Sequence, residues 1–120
     1  MKLCVPEAES VALLEHLREY ERTISSELTV VETARAAVRA IGADGLRRAE
    51  DACSRLDLLP ISQSIIERAR SLAPAERRTL DAIHLATALE PRRPPVLVAY
   101  DARLLHAARE HGLATVSPGR

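Results

Sequence analysis

Four strand candidates, Thr23-Ile24-Ser25-Ser26, Leu58-Leu59-Pro60-Ile61, Val96-Leu97-Val98-Ala99-Tyr100 and Ala114-Thr115-Val116, are separated by stretches of helical periodicity. Short strands that alternate with helices argue for a parallel sheet covered on both faces, an α/β fold. The helical stretches are Glu7 to Glu21, with Val11, Leu14 and Leu17 on one side, and Leu28 to Ile41, with Leu28, Val31, Arg35 and Val38 at helical spacing and Gly42 just beyond. Further helices are expected over about Asp44 to Arg55, around Ser64 to Leu72, in a stretch opened by Thr79, and from Ala102 to His111 before Gly112. Pro60 pushes the second strand towards an edge, and Pro91 and Pro94-Pro95 break the chain ahead of the third.

A chain of 120 residues makes one domain, residues 1–120, with room for a core that needs no staples. There is no Trp or Phe, and Tyr20 and Tyr100 are the only aromatic rings, so the core must come from Leu, Ile, Val and Ala. Stacking of bases on aromatic side chains is therefore not the expected binding mode. The 17 basic residues, all Arg except Lys2, balance 17 acidic ones, so no global field draws the chain to nucleic acid. The pairs Arg47-Arg48, Arg77-Arg78 and Arg92-Arg93 can make local phosphate contacts or can simply form solvated faces. Cys4 and Cys53 lack CxxC spacing and read as inert thiols in a reducing compartment. With no leader-like segment and no apolar run of membrane-spanning length, a cytoplasmic protein is expected.

Two carboxylates fall at element ends. Asp81 lies in Thr79-Leu80-Asp81-Ala82-Ile83-His84-Leu85-Ala86, near the start of a helix, and Asp101 follows the apolar run 96–100. Ligands of open α/β sheets collect at the carboxyl ends of the strands, and two acids there suggest a metal site. Each acid also has a plain reading. Asp101 is a natural N-cap for the helix from Ala102, Asp81 favours its helix dipole after a possible Thr79 cap, and Glu32 can pair with Arg35. Glu32 sits at the edge of an apolar stripe beside Val31, where a merely solvating glutamate is not expected, so it should border a cleft. His84, three residues after Asp81, reads as packing or as a hydrogen-bonding neighbour of the site, whereas His16, His106 and His111 read as helix-surface residues. Ser25 and Ser26 can touch a phosphate, although turn chemistry is their default.

The pieces Lys2-Leu3-Cys4-Val5-Pro6-Glu7-Ala8-Glu9-Ser10, Ser25-Ser26-Glu27-Leu28-Thr29-Val30-Val31-Glu32, Leu80-Asp81-Ala82-Ile83-His84-Leu85-Ala86 and Tyr100-Asp101-Ala102-Arg103-Leu104 occur in this order over essentially the whole chain. Together they resemble the PIN-domain toxins of VapC type. The resemblance implies a PIN-like α/β fold with a short parallel sheet and a ribonuclease activity that uses Mg²⁺ (magnesium) or Mn²⁺ (manganese). It implies Glu32, Asp81 and Asp101 as catalytic, metal-holding acids. It also implies an RNA substrate, a cognate antitoxin protein, a homodimer and no membrane. The family's first, central strand and its Asp have no counterpart ahead of Lys2-Leu3, so the chain is expected to lack them. A catalytically impaired remnant that binds an antitoxin or a second copy is the alternative, and a hydrolase of other phosphate esters is a third reading. Several acids suit Mg²⁺, a hard ion that takes oxygen ligands and keeps several waters.

Overall fold

The computed structural model describes residues 8–20, 22–73 and 75–120. Expectations for Met1 to Glu7, including the thiol of Cys4, and for Glu21 and Pro74, lie outside the described residues. The chain divides into two compact units: Met1–Leu59 with Pro118–Arg120, and Pro60–Ser117.

The first unit contains α1 (Ser10–Leu17), β1 (Ile24–Ser26), α2 (Leu28–Ile41), α3 (Asp44–Cys53) and β2 (Asp57–Leu59). β1 and β2 are parallel, with Ile24 opposite Asp57 and Ser26 opposite Leu59. Parallel strands need a long connection, and here the α2–α3 hairpin supplies it. Gly42 ends α2 with a φ of 75°, a conformation that only glycine enters at little cost. The two helices then close tightly. A Cβ on Gly45 would lie 2.4 Å from the Ala37 carbonyl oxygen, so only a glycine fits there. Ala37, Ala49 and Ala52 form the buried seam, with Ala34 against it.

That close approach decides which face of α2 is buried. The stripe of Leu28, Val31, Arg35 and Val38 correctly signals a helix, but it is not the buried face: Val31 is 56% exposed and Val38 43% exposed. Thr33 and Ala37 are buried instead. Helices that approach through a glycine accept only small side chains between them, so the larger apolar residues are displaced outward.

The second unit contains α4 (Gln63–Arg70), α5 (Thr79–Leu89), β3 (Val96–Val98), α6 (Ala102–Glu110) and β4 (Ala114–Val116). β3 and β4 are parallel, Val96 facing Ala114, with α6 as the connection. Ser62 caps α4 by accepting the Ile65 amide proton at 3.3 Å. The core is Leu85 and Ala88 of α5, Ala107 and Ala108 of α6, and Leu113, with Leu72, Leu89, Leu97 and Leu104 packed around them.

The α/β class and the parallel pairing agree with the sequence, the described strands forming two two-stranded sheets. β2 and β3 stop short of their apolar runs, whereas β4 covers its run in full. β2 stops at Leu59 because Pro60 has no amide proton to donate. Beyond β3, the Ala99 amide still donates to the Val116 carbonyl at 3.3 Å and the Ser117 hydroxyl to the Ala99 carbonyl at 2.6 Å, after which the chain turns into α6.

Candidate carboxylate site

Asp101 is held by the first turn of α6. Its Oδ1 accepts the amide protons of Arg103 at 2.8 Å and Leu104 at 3.2 Å, the N-cap geometry the sequence suggested. The cap uses one carboxylate oxygen. Among the described residues Oδ2 takes no hydrogen bond or ion pair, and the side chain is exposed.

Asp81 lies in the first turn of α5, where the unpaired amides and the helix dipole favour a negative charge. The expected Thr79 cap is not formed. Arg78, in extended backbone, occupies the cap position without a side-chain bond, and Thr79 is already helical. Asp81 is partly buried, and among the described residues its carboxylate has neither a hydrogen-bond nor an ion-pair partner. A carboxylate favoured by the helix end but without a direct hydrogen-bond or ion-pair partner among the described residues fits a group left open for a cation. His84, one turn on, is also partly buried.

Glu32 belongs to the first unit, in the second turn of α2, and is partly buried beside the exposed Val31. Upstream of it the serines perform turn chemistry. Ser25 and Thr29 share a hydroxyl–hydroxyl bond of 2.6 Å, and buried Ser26 accepts the Leu28 amide proton at 3.2 Å.

The carboxylates offer the hard oxygen donors that a magnesium-like dication takes. Among the described residues no group of three or more His, Cys, Asp and Glu forms a metal cage by itself. Mg²⁺ commonly uses one or two protein carboxylates, completing its shell with water and substrate phosphate, so the donor chemistry fits.

The basic residues depart from expectation in one place. Arg92 and Arg93 are exposed, and exposed Arg47 faces Asp44 at 3.7 Å. Arg77, by contrast, is turned inward, with a side chain 9% exposed, and is therefore not placed to meet a phosphate. Two histidines also differ from simple surface residues. His16 has a buried Nε2 without a partner among the described residues and lies 5.2 Å from the Tyr20 ring, while His111 meets the Ala73 carbonyl. Cys53 is a buried thiol, as expected.

Acids at the N-terminal ends of α5 and α6, in an α/β chain with short parallel strands, define a class of carboxylate-bearing α/β domain. The PIN domain family matches residues 5–110, and the chain belongs to that family. It is 39% identical over 122 residues to Ribonuclease VapC46 of Mycobacterium tuberculosis (strain ATCC 25618 / H37Rv), covering 98% of this chain and 91% of that protein. Ribonuclease VapC47 of strain CDC 1551 / Oshkosh is 37% identical, covering 98% of this chain and 90% of that protein. Ribonuclease VapC35 of the same strain is 41% identical, covering 100% and 92%. These relatives place the chain among PIN domains of VapC type and do not favour the impaired-remnant reading. No solved structure matches the chain.

Proposed function

We propose that this chain is the toxin of a toxin–antitoxin pair, an endoribonuclease that hydrolyses RNA phosphodiester bonds with Mg²⁺ or Mn²⁺ held by carboxylates, Asp81 and Asp101 of the second unit being its candidate ligands and Glu32 a further candidate acid that the family resemblance implies. The observation that carries the reading is Asp81, partly buried at the start of α5 with no hydrogen-bond or ion-pair partner among the described residues, in a chain whose relatives are named ribonucleases. When bound, such a cation neutralises charge on the scissile phosphate and lowers the pKa of a water. Asp101 contributes Oδ2, its Oδ1 being fixed by the α6 amides, so the carboxylate is oriented before any ligand arrives. No protein nucleophile is needed, since water attacks and the RNA oxygen leaves.

With a balanced net charge, RNA contacts fall to local arginines, Arg92 and Arg93 among them. The partner is a cognate antitoxin in the cytoplasm, and the toxin forms a homodimer. Exposed Val31, Val38 and Leu46 supply apolar surface for such contacts, beside a groove of about 340 Å³ lined by Ala34, Arg35, Val38, Arg39 and Leu46. No described helix is long and apolar enough to cross a membrane.

The test is cleavage of single-stranded RNA by the purified chain with Mg²⁺, with EDTA, and with Mg²⁺ restored. Cleavage that stops and returns, and that Asp81→Asn abolishes, is expected. Cleavage that persists in EDTA would overturn the cation reading.

A further inference from the structure

The chain entering α5 is tied to α6 at two points. At Ala73, the carbonyl lies 3.1 Å from Nε2 of His111, the residue that caps the C-terminal end of α6. A carbonyl can only accept, so Nε2 carries the proton in this bond. At Arg77, the guanidinium lies along α6: Nη1 donates to the Arg103 carbonyl at 3.2 Å, and Nη2 faces Glu110 Oε2 at 3.8 Å.

The Arg103 contact is the informative one. The amide of the same residue is held by Asp101 Oδ1 at 2.8 Å. One residue, Arg103, therefore connects the Asp101 carboxylate to the Arg77 guanidinium, and Arg77 stands four positions before Asp81. The Ala82 amide in turn donates to the Arg78 carbonyl at 3.0 Å, so the α5 start is continuous with the tethered segment.

The energetics of Arg77 do not favour a purely stabilising role. Its side chain is 9% exposed, yet Nε is buried with no partner among the described residues, and its ionic partner Glu110 also pairs with His106 at 2.8 Å. A buried donor left unsatisfied costs stability, and an apolar chain of similar length fills such a space without that cost.

We propose that Arg77 is a positioning residue that fixes the Asp81-bearing end of α5 against the Asp101-bearing end of α6, so that both carboxylates meet one cation. The inference rests on the assignment of Asp81 and Asp101 as cation ligands.

The experiment uses the full chain with Arg77→Met, Arg77→Lys, Asp81→Asn and Asp101→Asn. It reads Mn²⁺ affinity with the metal alone, amide exchange at Ala82 and Arg103, and the global unfolding midpoint. Arg77→Met is expected to leave the midpoint near the parent's, to speed exchange at Ala82 and Arg103, and to weaken Mn²⁺ binding about tenfold, the scale for groups that orient ligands from behind. Arg77→Lys, with one ammonium for two acceptors, falls between, and it carries the same decision where the Met variant does not fold. Unchanged Mn²⁺ affinity and exchange in the Arg77 variants, with affinity lost in both Asn variants, would overturn the positioning role alone. Mn²⁺ affinity untouched by either Asn variant would overturn the cation assignment and this inference with it.

Discussion

Asp101 serves as a helix cap and is proposed to hold a cation, and two substitutions separate those roles. Asn is as good an N-cap as Asp, because its side-chain oxygen accepts the same amide protons that Asp101 Oδ1 receives at 2.8 and 3.2 Å. Asp101→Asn therefore keeps both bonds and loses only the negative charge at the α6 N-terminus, about 0.5 kcal/mol. Asp101→Ala loses the cap as well, about 1 kcal/mol more, for a total of ~1.5 kcal/mol. At about 4 °C per kcal/mol for a domain of this size, Ala lowers the melting temperature by ~6 °C and Asn by ~2 °C. Activity follows the opposite logic, since both variants lose the charged oxygen. If that oxygen contributes about 3 kcal/mol to stabilising the reacting phosphate through a cation, both slow cleavage about 100-fold or more. Calorimetric melting and an RNA-cleavage time course on the same preparations decide the matter. An Asn variant that cleaves at the parent rate would reduce Asp101 to a cap, and equal melting losses for Asn and Ala would refute the capping argument.

Three further outcomes are expected. Gly45→Ala should destabilise the chain by about 1 to 3 kcal/mol despite the better helix propensity of Ala, because its Cβ would meet the Ala37 and Val38 backbone at 2.4 to 2.8 Å; chemical denaturation measures this. Asp81→Asn should change stability by no more than about 0.5 kcal/mol, since no described residue pairs with the carboxylate, while it abolishes cleavage; a large loss of stability would reveal a structural role. Val38→Asp and Leu46→Asp place charge on an exposed apolar face, so they should leave folding intact and weaken antitoxin capture about tenfold or more in a pull-down with the co-encoded small protein. Undiminished capture would move the partner surface elsewhere.

The local code of the chain was legible where its cause is local. Period 3.6 marked α2, Gly42 marked the α2 stop, and Asp101 and Gly112 marked the two ends of α6, because each depends on a few neighbouring residues. The four pieces from Lys2 to Ser10, Ser25 to Glu32, Leu80 to Ala86 and Tyr100 to Leu104, taken in order, likewise carried the resemblance to the family that the comparisons show. Tertiary structure decided what depends on contact between distant segments. The α2 stripe could not show that Gly45 draws α3 onto Ala37 and leaves Val31 and Val38 in solvent. Nor could the pair Arg77-Arg78 show that one guanidinium turns onto α6, since its acceptors, the Arg103 carbonyl and Glu110, lie 26 and more positions away. Sequence fixes what each residue can donate, accept or fill. Only packing fixes which partner it meets, because a side chain's environment is set by the nearest backbone in space, and the chain order does not encode that distance.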